Sequence, residues 1–225
     1  MIKTPSNVFA LNCNGNFNDE SGNGYNCTGT ATLADSQFGQ CASFNGSQYL
    51  STQNNVDLSS TDKLTICFWI KFTGTTLQII SEQSANFNLN NAFMIDISDA
   101  GGAGAIQFAD RNYPYRSGNT DYNISYTSKK YNDGNWHFVT ITSDRTQNAL
   151  NQTSIYVDLI KDTVLHPTFR ADLSGNYSSL PLFLGSRNNS QYFFNGQLTR
   201  FKIYKKILSF EDIKRIYEGF SPLNG

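Results

Sequence analysis

The sequence predicts an all-β protein, a two-sheet antiparallel sandwich with one short helix at its C-terminal end. Short runs of alternating or continuously apolar residues recur along the chain, and Gly-, Asn- and Ser-rich turns separate them. β-branched and aromatic residues dominate those runs, with 17 Phe and 12 Tyr in the chain. Helical spacing of apolar residues occurs only near the C terminus.

The elements follow in order. Val8-Phe9-Ala10-Leu11 reads as the first strand, and Asn16 to Gly24 as a polar loop. Phe38 to Gly46 reads as a strand entering a turn, and Tyr49-Leu50-Ser51 as another strand. Leu64 to Phe72 carries bulk on both faces, which predicts an interior strand. Leu77 to Ile80, Phe93 to Ile97 and Ala105 to Phe108 continue the series. Asp133-Gly134 supplies the left-handed backbone of a tight turn. From there Trp136, Phe138 and Thr140 point one way and His137, Val139 and Ile141 the other, a second interior strand. Trp69 and Trp136 are therefore expected to be largely buried. Ser154 to Leu159, Leu182 to Gly185 and Gly196 to Tyr204 complete the strands. The helix is signalled by Ser209 as N-cap with Asp212 three residues on, by the stripe Ile213, Ile216, Tyr217 and Phe220, and by Gly219 as a stop. It is expected to pack on the sandwich edge.

The chain of 225 residues has no linker, composition break or internal repeat, so residues 1–225 read as a single domain. A net charge of -1 and the lack of a basic run exclude nucleic acid as the expected partner. No apolar stretch reaches the roughly 18 residues of a membrane-spanning helix, so no membrane insertion is expected. Met1 to Asn7 is polar, and no secretory signal peptide is read there. Cys13, Cys27, Cys41 and Cys67 form no zinc-like pair; buried free thiols are expected, with disulfides as the alternative. The Asn-x-Ser/Thr triplets at Asn26, Asn45, Asn123, Asn151, Asn176 and Asn188 are those that chance gives in an Asn-, Ser- and Thr-rich chain.

Several segments taken in order carry a family resemblance. They are Asp19-Glu20-Ser21-Gly22-Asn23-Gly24, Phe44-Asn45-Gly46, Phe68-Trp69-Ile70-Lys71 and Gly134-Asn135-Trp136-His137-Phe138-Val139. Ile155-Tyr156-Val157-Asp158, Leu184-Gly185, Phe194 to Leu198 and Phe201 to Ile213 follow. Together they resemble the laminin-G-like jelly roll of the concanavalin A-like lectin/glucanase group. The resemblance implies that the sandwich is a jelly roll and that the chain sits at a cell surface, outside the cell or on a virion or phage tail. Two positions depart from the family: Leu159 stands where Gly usually follows Tyr-Val-Asp, and Thr199 where an acidic residue often stands.

In the family the Asp-x-Ser-Gly-Asn loop often holds calcium together with that acidic residue. The resemblance thus makes Asp19, Asn23, Gly24 and Thr199 candidate ligands of a structural calcium, an ion that wants several hard oxygens. The alternative is a turn in which Asp19 and Ser21 cap backbone amides. Glucan-hydrolysing relatives carry alternating Glu and Asp on one strand; here the only glutamates are Glu20, Glu82, Glu211 and Glu218, outside such a pattern. His137 and His166 sit in no recognisable catalytic motif, so no enzyme is expected, and a glycoside hydrolase or lyase is the less favoured reading.

Binding is the better-supported function. Asp110 to Tyr126 reads as a long insertion dense in Tyr, Asn, Asp and Arg, and Gly185 to Tyr192 and Glu82 to Asn91 as two further loops. Sugars need apolar faces to stack on, which Tyr supplies, and forked or planar groups for vicinal hydroxyls, which Asn, Asp and Arg supply. The candidate ligand residues are Asp110, Asn112, Tyr113, Tyr115, Arg116, Tyr122, Arg187 and Asn188. The expected partner is a carbohydrate or glycoconjugate bound without catalysis. The alternative is a protein interface or an assembly role.

Overall fold

A computed structural model describes residues 7–84, 91–112, 122–166 and 171–219. The first strands are β1 (Phe9–Leu11), β2 (Cys27–Gly29), β3 (Thr32–Ser36), β4 (Gly39–Asn45), β5 (Leu50–Thr52) and β6 (Val56–Asp57). Then come β7 (Lys63–Phe72), β8 (Gln78–Glu82), β9 (Ala92–Ile97), β10 (Ile106–Arg111), β11 (Tyr122–Thr127) and β12 (His137–Asp144). The last are β13 (Thr153–Val157), β14 (Ile160–Lys161), β15 (Val164–Leu165), β16 (Ser179–Leu180), β17 (Phe183–Leu184) and β18 (Asn195–Tyr204), and helix α1 (Phe210–Glu218) follows.

The first sheet runs β14-β13-β12-β7-β18-β4-β3, with β1 pairing β18 where β4 leaves off. The second runs β15-β11-β10-β9-β8-β17-β5-β2. Together they form the antiparallel jelly-roll sandwich. β7 shows why the sheets stack as they do. Leu64, Ile66, Phe68, Ile70 and Phe72 face the inter-sheet core, while Cys67 and Trp69 face away. β12 repeats the pattern in register, Val139 and Ile141 inward and Phe138 outward. Trp69 is 6% exposed, but Trp136 lies just before β12 and is half-buried.

The outward apolar residues relocate the helix. It packs on the outer face of the first sheet, not on its edge, because Phe38, Cys67, Trp69, Phe138 and Tyr204 present a second apolar surface there. Ile213 and Ile216 are buried against it, and Tyr217 stacks on Trp69 with ring centroids 5.4 Å apart. Ser209 caps the helix by accepting a hydrogen bond from the Asp212 amide at 3.1 Å, as its spacing predicts.

Two irregularities bear on the site. β18 bulges between Thr199 and Lys202, with Arg200 at φ +54°, so that Leu198 and Phe201 both reach the core. Leu159 forms a turn with Asp158 rather than strand; its φ is +66°, the left-handed conformation that glycine usually supplies, and it packs against the apolar cluster under the helix. All four cysteines are buried free thiols, and burial pushes Cys13, Cys27 and Cys67 up to about 12.

Candidate functional site

The segment read as one insertion from Asp110 to Tyr126 has strand at both of its described ends. β10 continues through Arg111, and Tyr122 begins β11, with Arg111 opposite Tyr122 in the ladder. Alternation along β9 points Phe93, Ile95 and Ile97 into the core. Ala92, Met94 and Asp96 therefore face outward. Register places Arg111, Ala109 and Gln107 beside them, then Tyr122, Ile124 and Tyr126. The outer face of the second sheet is thus built from three strands in a fixed register.

Two arginine–tyrosine pairs lie on this face. The Arg111 guanidinium sits 5.1 Å from the Tyr122 ring centroid. Arg187 comes from the loop after β17, its guanidinium 5.0 Å from the Tyr192 ring centroid. Arg187 Nε donates to Glu82 Oε2 at 2.9 Å, and Nη2 lies 2.8 Å from Met94 Sδ. That loop is set by Gly185, whose φ is +79° and where any Cβ would collide with the Phe44 ring. It is closed by the bridge between Arg187 and Gln191. Arg187 and Tyr122 therefore share one face, as the sequence reading grouped them.

The floor between the pairs is polar and buried. Gln107 Nε2 donates to Asp96 Oδ2 at 2.9 Å and to Asp99 Oδ2 at 3.3 Å. Among the described residues, Asp96 Oδ1 and Gln107 Oε1 have no hydrogen-bond partner. Burial, reinforced by Asp99, raises the Asp96 carboxyl well above the usual range. Tyr192 is 42% exposed, and Tyr122 and Ile124 are half-buried, so the face offers rings and apolar surface over hydrogen-bonding groups.

The other candidate ligand residues are placed as follows. Asn112 is half-buried just after β10, its Oδ1 without a partner among the described residues. Asn188 is exposed at the loop tip with φ +47°. Tyr113, Tyr115 and Arg116 lie outside the described residues, as do residues 85–90 of the Glu82 loop. Asp110 is a correction. It turns inward, is fully buried and pairs with the fully buried Arg145, so it presents nothing to a ligand. Ser143, Gln152 and Tyr177 also donate to it, at 3.1, 2.8 and 2.8 Å. Arg111, Met94, Asp96, Gln107 and Tyr192 belong to the face but were not among the candidates; carrying the alternation of Ile106-Gln107-Phe108 on to Arg111 was the signal for the first of them.

The first loop does not fit a calcium ion. Asp19 Oδ1 accepts from the Ala10 and Ser21 amides at 3.0 and 2.9 Å, and Oδ2 from Ser21 Oγ and the Tyr25 amide at 2.8 and 3.0 Å. Those four donors fill its lone-pair positions. Asn23 Nδ2 donates to the Val8 carbonyl at 2.9 Å, and Gly24 turns the chain at φ +78°. The Thr199 hydroxyl lies 3.3 and 3.1 Å from the Asn12 and Gln40 carbonyls, at the junction where β18 changes partner from β4 to β1. The loop closes on itself by hydrogen bonds, the turn arrangement. Among the described residues no cluster of His, Cys, Asp and Glu is arranged to hold a metal.

His137 bridges two carboxylates, Nδ1 to Asp158 at 2.8 Å and Nε2 to Asp133 at 3.0 Å. The Asp158 contact, partly opposed by burial, raises its pKa. Asp158 also accepts from the Phe138 amide at 2.8 Å, so the three residues tie the turn before β12 to the β13–β14 turn. His166 Nδ1 lies 3.1 Å from the Ile124 carbonyl, behind the face.

A family model described as the concanavalin A-like lectin/glucanases superfamily matches residues 44–214. No curated protein matches the chain. Among solved structures, domain 4 of AbnA, a GH43 extracellular arabinanase from Geobacillus stearothermophilus, in complex with arabinotriose, superposes with a TM-score of 0.70 at 17% identity. The match covers 95% of this chain and 99% of that one. The binding domain of Paraclostridial Mosquitocidal Protein 1 gives a TM-score of 0.70 at 18% identity, over 96% of this chain and 52% of that one. The binding domain of botulinum neurotoxin DC in complex with rat synaptotagmin II gives 0.69 at 18%, over 96% and 52%. The chain spans about half the length of the two toxin binding domains. At these identities the likeness is one of fold.

Proposed function

The chain belongs to the concanavalin A-like lectin/glucanases superfamily, and from that premise we propose that it is a non-catalytic carbohydrate-recognition module acting outside the cell. The observation that carries the reading is the pair of arginine–tyrosine contacts on one face of the second sheet. Tyr192 and Tyr122 supply surfaces for the C–H face of a sugar ring. Arg187 supplies a forked donor for adjacent hydroxyls, held in place by Glu82. The oxygens of Asp96 and Gln107 that lack a partner among the described residues lie buried beneath the face, where an ordered water or a proton between them satisfies them. The rigid strands hold these groups before the ligand arrives, which lowers the ordering cost of binding. The arabinotriose complex of the arabinanase domain supports the reading by analogy of fold.

A protein partner is the second reading, and the synaptotagmin complex of the botulinum domain favours it on the same footing. A glycan array followed by calorimetric titration of its hits separates the two. The carbohydrate reading expects saccharide binding that weakens in Tyr192→Ala and Tyr122→Ala. An array without hits, with light scattering showing self-association that either substitution abolishes, favours the protein reading.

A further inference from the structure

We propose that Asp96 is a neutral carboxylic acid paired with the side-chain amide of Gln107, and that loss of its proton redirects Arg187, a pH-sensitive switch built beneath the arginine–tyrosine face. Asp96 on β9 stands opposite Gln107 on β10 in the ladder. They are 0% and 1% exposed. Gln107 Nε2 donates to Asp96 Oδ2 at 2.9 Å, and its second hydrogen serves Asp99 Oδ2 at 3.3 Å. Among the described residues the other oxygen of each group, Asp96 Oδ1 and Gln107 Oε1, is buried without a partner. Asp99 is exposed, so the buried Oε1 belongs on the Asp96 side of the amide. Two unpaired acceptors are costly there. A proton on Asp96 removes both faults at once: Oδ1–H donates to Oε1 and closes a ring of two hydrogen bonds between acid and amide. Turning the amide over does not remove the need. Oε1 would then face the Asp96 and Asp99 carboxylates, and only a proton makes an oxygen–oxygen contact attractive.

The surrounding charges favour the same state. Asp99 follows β9, Glu82 ends β8, and Tyr126 on β11 lies beyond Gln107. Burial and Asp99 raise the Asp96 carboxyl, Gln107 and Arg187 oppose them, and Glu82 adds to the rise. The Arg187 guanidinium is already committed, its Nε donating to Glu82 Oε2 at 2.9 Å. An ionised Asp96 is a second carboxylate for that one guanidinium, and it draws Arg187 from Glu82 and from the Tyr192 ring. What this does to saccharide affinity rests on the carbohydrate reading above; the proton itself does not.

The test needs no saccharide. Carboxyl-carbon resonances of the whole chain, labelled at aspartate, are followed against pH together with the Arg187 Nε–H signal. Asp96 is expected to show the shift of an acid at neutral pH, and Arg187 to move as that proton leaves. Melting temperature gives a second measurement. Asp96→Asn keeps both hydrogen bonds to Gln107, because its amide donates where the acid did. A carboxyl raised on folding weakens the fold as pH climbs above its ordinary value of about 3.9, so the parent should lose melting temperature relative to Asp96→Asn between about pH 4 and about pH 7. The proposal is overturned if the Asp96 carbon is that of a carboxylate at neutral pH, in which case ordered water serves the two oxygens. It is overturned too if Arg187 ignores that titration, or if the difference between the parent and Asp96→Asn stays constant over that range. None of these results bears on the carbohydrate reading, which stands or falls on the glycan array.

Discussion

Asp110→Asn separates an architectural carboxylate from a ligand-binding one. Asp110 and Arg145 are both fully buried between the sheets. The carboxylate takes donors from Arg145, Ser143, Gln152 and Tyr177. Arg145 in turn donates to the Arg111 carbonyl at 2.9 Å and lies over the Tyr177 ring at 3.7 Å. Asparagine keeps one acceptor oxygen but turns an amide N–H₂ toward a ring of donors, and leaves the guanidinium without a counter-charge. Breaking one side of a buried pair costs about 3–5 kcal/mol. For a domain of this length each kcal/mol moves the melting temperature by about 2–4 °C, so the loss should be about 6–20 °C. Urea unfolding followed by Trp fluorescence measures it. Replacing both partners, Asp110→Leu with Arg145→Met, should recover most of the loss, because no uncompensated charge remains. A melting temperature within about 2 °C of the parent, together with lost saccharide binding, would refute the assignment and return Asp110 to the ligand surface.

Three further outcomes are expected. His137 holds its proton more tightly folded than unfolded, so its contribution is fully present below its ordinary pKa of about 6.5 and fades as pH rises through the raised folded value. The stability advantage of the parent over His137→Gln should therefore shrink as pH rises above about 6.5, and an advantage that grows there would contradict the bridge. Asp133, lowered to about 2 chiefly by the Asn135 amide, acts oppositely, stabilising above its ordinary range and losing that effect as pH falls. In the first loop, a chelator should leave the melting temperature unchanged while Asp19→Asn costs about 2–3 kcal/mol; a chelator-induced drop that calcium reverses would place an ion there. Leu159→Gly relieves a left-handed backbone worth about 1–2 kcal/mol but removes packing of similar size, so its net effect should stay within about 1 kcal/mol; denaturant midpoints of the two forms decide it.

The strands legible in the sequence were those with bulk on both faces. β7, β12 and β18 each serve two apolar surfaces, the inter-sheet core and the layer under the helix, and their alternation survives burial. The same fact placed the helix wrongly, since an outward Trp69 beside an outward Phe138 creates a docking face only once register aligns them. Tyr122 to Tyr126 read as loop because its inward residues, Asn123 and Ser125, are polar; they pair with groups from distant segments, as Asn123 does with the Ala149 carbonyl at 2.9 Å. Asp110 was misread for the same reason, its partners standing 33 to 67 residues away. Thr199 shows a polar residue whose position, at a change of strand partner, no local pattern reveals. Tyr122 with Arg187 was legible as chemistry, Tyr and Arg together, although the strand register that joins them was not.

The most direct test of the account maps where a saccharide binds. With an array hit added to the isotopically labelled chain, amide shifts should concentrate at Met94, Ala109, Ile124 and residues 187–192, and Tyr192→Ala should weaken the titration by about 1 kcal/mol or more. Shifts concentrated instead on the helix face, around Ile213 and Ile216, or a titration indifferent to Tyr192→Ala, would contradict the account.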